Sequence, residues 1–211
     1  GLVGFALSGV MRVELMVSGV WLGSEGLYNM LVTSHAIMMV FFLVMPLFMG
    51  AWNMLLPMML GVKDMVFPRM NNLSVLMVGV SLAMYISSMV QEGPQTGWTF
   101  YPPLSSQGFS SSLSVDLSIL SLHVVGVSSI LNSLNILATW VYSMNTGLVA
   151  LERTPLLVWA LSVTSALVVT TVPVLAAALV MLLLDRNTGS GFFDPSGSGS
   201  LVLYQHMFFF G

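Results

Sequence analysis

The sequence predicts an all-α protein, a polytopic bundle of transmembrane helices, and three observations carry that prediction. Only 6% of the 211 residues are charged while 56% are hydrophobic, against about 25% charge in a soluble domain. Mean hydropathy is +0.94. The apolar residues fall in runs of about 20 or more, the length that crosses a hydrocarbon core, divided by shorter stretches rich in Gly, Ser and Pro. The chain reads as a single transmembrane domain over residues 1–211. It opens Gly-Leu-Val-Gly and closes Phe-Phe-Phe-Gly, and both ends read as cuts within a longer hydrophobic protein.

Composition removes several functions. A net charge of −3 with no basic tract gives nucleic-acid binding no electrostatic support. The absence of cysteine excludes disulfides, CxxC redox pairs and thiolate metal sites. No HExxH, phosphate-binding loop or GxSxG is present, and His35, His123 and His206 lack mutual metal-ligand spacing. The 18 methionines read as apolar filler.

Gly1 to Val17 reads as the last part of a first helix, interrupted by Arg12 and Glu14, and Val17 to Asn29 as a Gly/Ser-rich turn. A second helix is predicted from about Tyr28 to Leu60, long enough to tilt, to kink at Pro46 or to protrude. A third follows at roughly Met70 to Val90, then a long polar loop from Glu92 to Ser114. The fourth covers about Val115 to Tyr142, the fifth Pro155 to Leu184, and Leu201 opens a sixth. Lys63, Arg69 and Arg153 flank two loops on one side, against Arg186 alone in the loops of the other. The positive-inside rule places the Lys63 side inward.

His35 stands in an apolar stretch from Thr33 to Leu60 broken only by Pro46, Asn53 and Pro57. An imidazole there is costly unless bound. It either bonds a carbonyl or hydroxyl of a neighbouring helix, or it ligates a metal or haem. Counting along the predicted helices puts His35 roughly 10 Å and Arg12 roughly 7 Å below the outer ends, at similar depth. That suggests a shared polar ligand; otherwise Arg12 snorkels to the interface or pairs with Glu14.

Helix four adds a second signal. At 100° per residue, Ser114, Ser118, Ser121, Ser128, Ser129, Asn132, Asn135, Thr139 and Ser143 share one sector roughly 120° wide, and His123 points away from it. Such a stripe either bonds a neighbouring helix or lines water. Asp64, near Asn53, Asn71 and Asn72, either collects protons or is a solvated charge beside Lys63. Trp98 and Tyr101 read as interfacial aromatics.

Several strings, taken in order along the chain, resemble subunit 1 of the haem–copper oxidases, the cytochrome c oxidase family. They are Arg12-Val13-Glu14-Leu15, Ser34-His35-Ala36, Asp64 to Asn72, Thr96 to Leu104, Ser121-Leu122-His123, Gly126 to Leu131, Asp185-Arg186-Asn187, Phe192 to Pro195 and Leu203 to His206. The resemblance runs from the end of the first helix to the start of the sixth, of the family's twelve. The chain is then an incomplete portion of a larger oxidase subunit.

The resemblance implies that His35 is an axial ligand of haem a, that Arg12 bonds the haem formyl, and that Trp98 and Tyr101 lie by the propionates. It places Asp64, Asn53, Asn71, Ser114, Ser121, Ser128, Ser129 and Asn135 on a proton pathway. Haem a3 and copper are expected with the remainder of the subunit. The implied partners are the other oxidase subunits, the remaining helices of this one, membrane lipids and cytochrome c as electron donor. The implied site is the mitochondrial inner membrane, rather than a bacterial plasma membrane. Departures are Ser196 to Leu201 in place of a Gly-Gly-Asp-Pro turn, Met16-Val17-Ser18 in place of the family's cation-site segment, and Asn132 where a smaller residue is usual.

Overall fold

The computed structural model describes residues 1–211 and is helical throughout, without strands. α1 is Leu2–Glu14. α2 is continuous over Glu25–Leu60, as α-helix at Glu25–Met39, a π-turn at Val40–Val44 and α-helix again at Met45–Leu60. α3 is Pro68–Val90, α4 Leu113–Asn145, α5 Leu156–Asn187 and α6 Leu201–Phe210. α2 to α5 are each long and apolar enough to cross a membrane.

Helix ends follow local chemistry. Ser24 caps α2 by accepting from the Leu27 N–H, so α2 begins three residues before the predicted Tyr28. The expected kink at Pro46 is taken up one turn earlier. The Met45 N–H reaches back five residues to Val40 O, so a π-turn absorbs the bonding that Pro46 cannot supply. Gly61 closes α2 in the left-handed conformation, φ 68°, which lets the chain reverse toward α3.

α3 and α4 form the most extensive pairing, followed by α4 with α5 and α1 with α2. A core of Ile37, Tyr85, Val115, Ile119, Leu179, Tyr204 and Phe208 joins α2 to α6 toward one end; Leu56, Leu60, Ile136, Val158 and Leu161 form a smaller one toward the end that carries Lys63, the side expected to face inward. The α2–α3 and α4–α5 connections share that inner end, with Lys63 and Asp64 near Tyr142 and Leu148.

At the other end Arg186 is fully buried, although its position suggests a loop cation. Its Nε donates to Asp116 Oδ1 at 2.6 Å, and its other nitrogens donate to the carbonyls of Ser105, Ser110 and Ser112 at 2.5, 2.7 and 3.1 Å. One guanidinium thus ties the C-terminal end of α5 to the start of α4 and to the 91–112 loop. Its charge is neutralised by Asp116, which leaves the basic excess on the Lys63 side.

Candidate functional site

The site is built around α2, where α1 crosses it. His35 is half-buried, and its Nδ1 lies 2.7 Å from the carbonyl oxygen of Gly4. Only a protonated Nδ1 can bond a carbonyl, so the proton sits there and Nε2 keeps its lone pair. Nε2 has no hydrogen-bond partner. Gly4 is the one buried residue of α1. A Cβ on it would stand 2.8 Å from Met39 Sδ and 3.3 Å from Met38 Cβ. The missing side chain is what brings α1 close enough for its carbonyl to hold the ring.

The shared-depth expectation needs correction. Gly4 is level with His35 and lies eight residues before Arg12, so Arg12 sits roughly 12 Å farther along α1. The difference arises because α1 ends at Glu14 and α2 already begins at Glu25. A ligand held by both residues must therefore be extended along the bundle. Arg12 is exposed and makes no ion pair. The anticipated pairing with Glu14 is absent, because Glu14 Oε2 accepts from the Leu22 N–H at 2.8 Å and closes the turn between the helices.

The loop carrying Trp98 and Tyr101 is stitched to the same helix. The Gly97 N–H donates to Thr33 Oγ1 at 3.0 Å, two residues before His35. Gly97 has φ 77° and Gly93 φ 69°, and a Cβ on Gly93 would overlap the Met30 side chain. Trp98 remains 40% exposed and meets Phe208 edge-on at 5.9 Å. Tyr101 packs against Tyr204, whose hydroxyl donates to Thr99 O at 2.7 Å. Thr33, Gly4 and Tyr204 escaped the sequence reading, since each acts through a backbone atom of a distant segment. Farther along, the Asp194 carboxyl caps its turn and is held below the usual carboxylate range by bonds from the Ser196 side chain and backbone.

All nine polar residues of the α4 stripe are buried. Several of its hydroxyls bond the neighbouring α3. Ser121 Oγ donates to Ser81 O at 2.8 Å, Ser118 Oγ to Ser88 Oγ at 2.9 Å and Ser128 Oγ to Ser74 O at 2.7 Å. Ser129 bonds within its own helix to Val125 O, and Ser114 meets Ser112. Asn135 clasps the start of α3, accepting from Phe67 N–H at 3.0 Å and donating to Phe67 O at 3.1 Å. His123 faces away, as expected, toward Ala176 O on α5.

Asn53 and Asn71 come together at 2.8 Å, joined by Asn132 at 2.9 Å from Asn53. Between α2, α3 and α4 beside them opens a cleft of about 190 Å³ lined by Pro46, Gly50, Asn53, Ser74, Ser128 and Asn132. Asp64 lies just beyond α2, exposed, accepting only from the Met65 N–H at 2.7 Å. It forms no ion pair with Lys63.

A family model described as cytochrome c and quinol oxidase polypeptide I matches residues 1–211. The chain belongs to that family. It is 49% identical over 213 residues to a cytochrome c oxidase subunit 1 from Pecten maximus, covering all of this chain and 44% of that protein. With a cytochrome c oxidase subunit 1 from Eremothecium gossypii it shares 44% identity over 214 residues, covering 40% of that one. The chain thus spans under half the length of these relatives. Membership accounts for the α-helical bundle and for the order of the strings from Arg12 to His206.

Proposed function

We propose that this chain is the N-terminal part of the catalytic subunit of a terminal respiratory oxidase in the mitochondrial inner membrane. The whole assembly takes electrons from cytochrome c, reduces oxygen to water at a haem a3–copper centre and translocates protons. The observation that carries the reading is the His35 ring, fixed at Nδ1 by Gly4 O and unpartnered at Nε2. A metal-ligating histidine characteristically donates its other N–H in this way. A single imidazole nitrogen suits an iron whose equatorial positions a macrocycle fills.

The residues present fit haem a. His35 Nε2 would hold the iron, and the unpaired Arg12 would donate to the formyl group. Trp98 and Tyr101, stitched to α2 through Gly97 and Thr33, would line the propionate end. Haem a, when bound, supplies one-electron redox chemistry. His35 fixes its place, and the α1–α2 packing keeps the ring from turning.

On the inner side, Asp64 would collect protons, with Asn53, Asn71 and the cleft beside Ser128 carrying water onward. The Ser121 hydroxyl, packed on Ser81 at the α3–α4 interface, would frame that route, and Ser114, bonded to Ser112, would stand at the opposite end of α4. The test is an absorption spectrum of the purified assembly beside its His35→Ala variant. The native assembly should show low-spin haem a, and the variant should lose it while the other subunits still assemble. An unchanged spectrum in the variant, or no haem a in the native assembly, would leave a non-redox transporter or structural helix bundle as the function.

A further inference from the structure

The turn of α2 that carries His35 is held from three sides. Thr33 Oγ1 accepts from the Gly97 N–H of the 91–112 loop at 3.0 Å, Ser34 Oγ accepts from the Tyr85 hydroxyl of α3 at 3.2 Å, and His35 Nδ1 donates to Gly4 O of α1 at 2.7 Å. Consecutive residues of an α-helix point about 100° apart. Three successive side chains, each bonded to a different segment, therefore oppose rotation of α2 about its own axis. Thr33 and Ser34 are fully buried, so water cannot stand in for either partner.

The contact from α3 is the one that backbone packing does not supply. α3 lies chiefly against α4, and Tyr85 to Ser34 is its only hydrogen bond to the Glu25–Met39 part of α2. Tyr85 is fully buried, and its ring meets Phe42 at 5.8 Å. Phe42 belongs to the π-turn Val40–Val44, where the four-residue ladder gives way to a five-residue step. The backbone beyond His35 thus fixes the twist of Glu25–Met39 less tightly than a regular helix would. One tyrosine braces both places, with its hydroxyl at the turn of His35 and its ring at the loosened turn beyond. The Tyr85 hydroxyl needs its acceptor, as buried polar groups do. Ser34 depends on the bond less, because its own hydroxyl also donates to Met30 Sδ at 3.5 Å.

Resting on the haem reading of His35 in the preceding subsection, we propose that Ser34 and Tyr85 are a positioning pair, a rotational pin that sets the plane in which the His35 ring presents Nε2 to the iron. The Gly4 bond fixes the ring against α1. The pin fixes the helix that carries the ring. Ser34 and Tyr85 act through the azimuth of α2 and take no part in the electron transfer itself.

The experiment is low-temperature EPR of the complete oxidised assembly, because the g values of a low-spin ferric haem follow the plane of the imidazole that ligates it. Tyr85→Phe removes the hydroxyl and keeps the ring. Ser34→Ala removes the acceptor and strands the Tyr85 hydroxyl, so it should lower thermal stability more. Both should broaden the haem a signal, and the double variant should broaden it no further than either alone, since the two residues act as one unit. Either single variant carries the test where the other does not assemble. Ser118→Ala is the control, because it breaks the α3–α4 bond to Ser88 without touching α2. Lower stability with an unchanged signal in Tyr85→Phe and Ser34→Ala would make the pair purely structural and overturn the pin. Equal broadening in Ser118→Ala would overturn it as general loosening of the bundle. If the native assembly shows no low-spin haem signal, the haem reading fails and the pin with it.

Discussion

Asp116 is the most economical place to test how the outer half of the site is held. The Arg186 side chain has no solvent exposure and Asp116 retains 13%, so the pair is largely cut off from water. Removing one partner of such a pair leaves an uncompensated buried charge, typically at about 3–5 kcal/mol. Three carbonyls still accept from the guanidinium, which favours the lower figure for Asp116→Ala. In a domain of this size about 3 kcal/mol lowers Tm by roughly 6–12 °C. Arg186→Met should cost a similar amount by a different route, because it strands the carbonyls of Ser105, Ser110 and Ser112 at about 1–3 kcal/mol each where water cannot replace the donor. Thermal unfolding of the complete assembly in nanodiscs measures the first quantity. Limited proteolysis within residues 91–112 reports whether the loop bearing Trp98 and Tyr101 has come loose. An unchanged Tm and an uncut loop in Asp116→Ala would refute the assignment of the pair as the clamp.

Gly4→Val should push α1 away from Met38 and Met39 and destabilise the α1–α2 contact by about 1–3 kcal/mol, broadening or shifting the haem a spectrum; Gly4→Ala should do so less, since Met39 can yield. Arg12→Met should blue-shift the haem a absorption and lower its reduction potential, because a guanidinium at the formyl withdraws electron density and favours the reduced haem; a spectroelectrochemical titration reads both. Asp64→Asn should slow proton uptake by about tenfold or more by removing both the titrating group and its local field, with the His35 spectrum intact. Lys63→Met should leave uptake nearly normal, since Lys63 forms no ion pair with Asp64; near-normal uptake in both variants would return Asp64 to a simple interfacial charge.

What the chain discloses before folding depends on how far each residue's reason for being there extends. His35 was legible because burying an imidazole has a cost that one sequence window exposes. The α4 stripe was legible because a helical period of 3.6 turns nine polar residues to one side. Neither window shows what stands opposite. Ser81 and Ser88 are scattered serines until α3 is laid on α4, and Gly4 looks like any glycine until its carbonyl is found 2.7 Å from Nδ1. Arg186 and Asp116 are 70 residues apart, and by position Arg186 reads as a loop charge. The depth of Arg12 is hidden for a related reason, since it depends on where Glu14 and Ser24 end and begin their helices.

The same limit explains why family membership and geometry divide the work between them. Resemblance can carry a role onto Asn53 or Asn71, because those residues match the pattern, but it is silent on a residue where the pattern differs. Asn132 is such a residue, and only the packed helices supply what resemblance leaves out. Its side chain reaches Asn53 across the interface of α2 and α4 and joins the contact that Asn53 already makes with Asn71. Three amides 79 residues apart at the widest thus meet at one junction of α2, α3 and α4, because helix packing sets their separation and sequence distance does not.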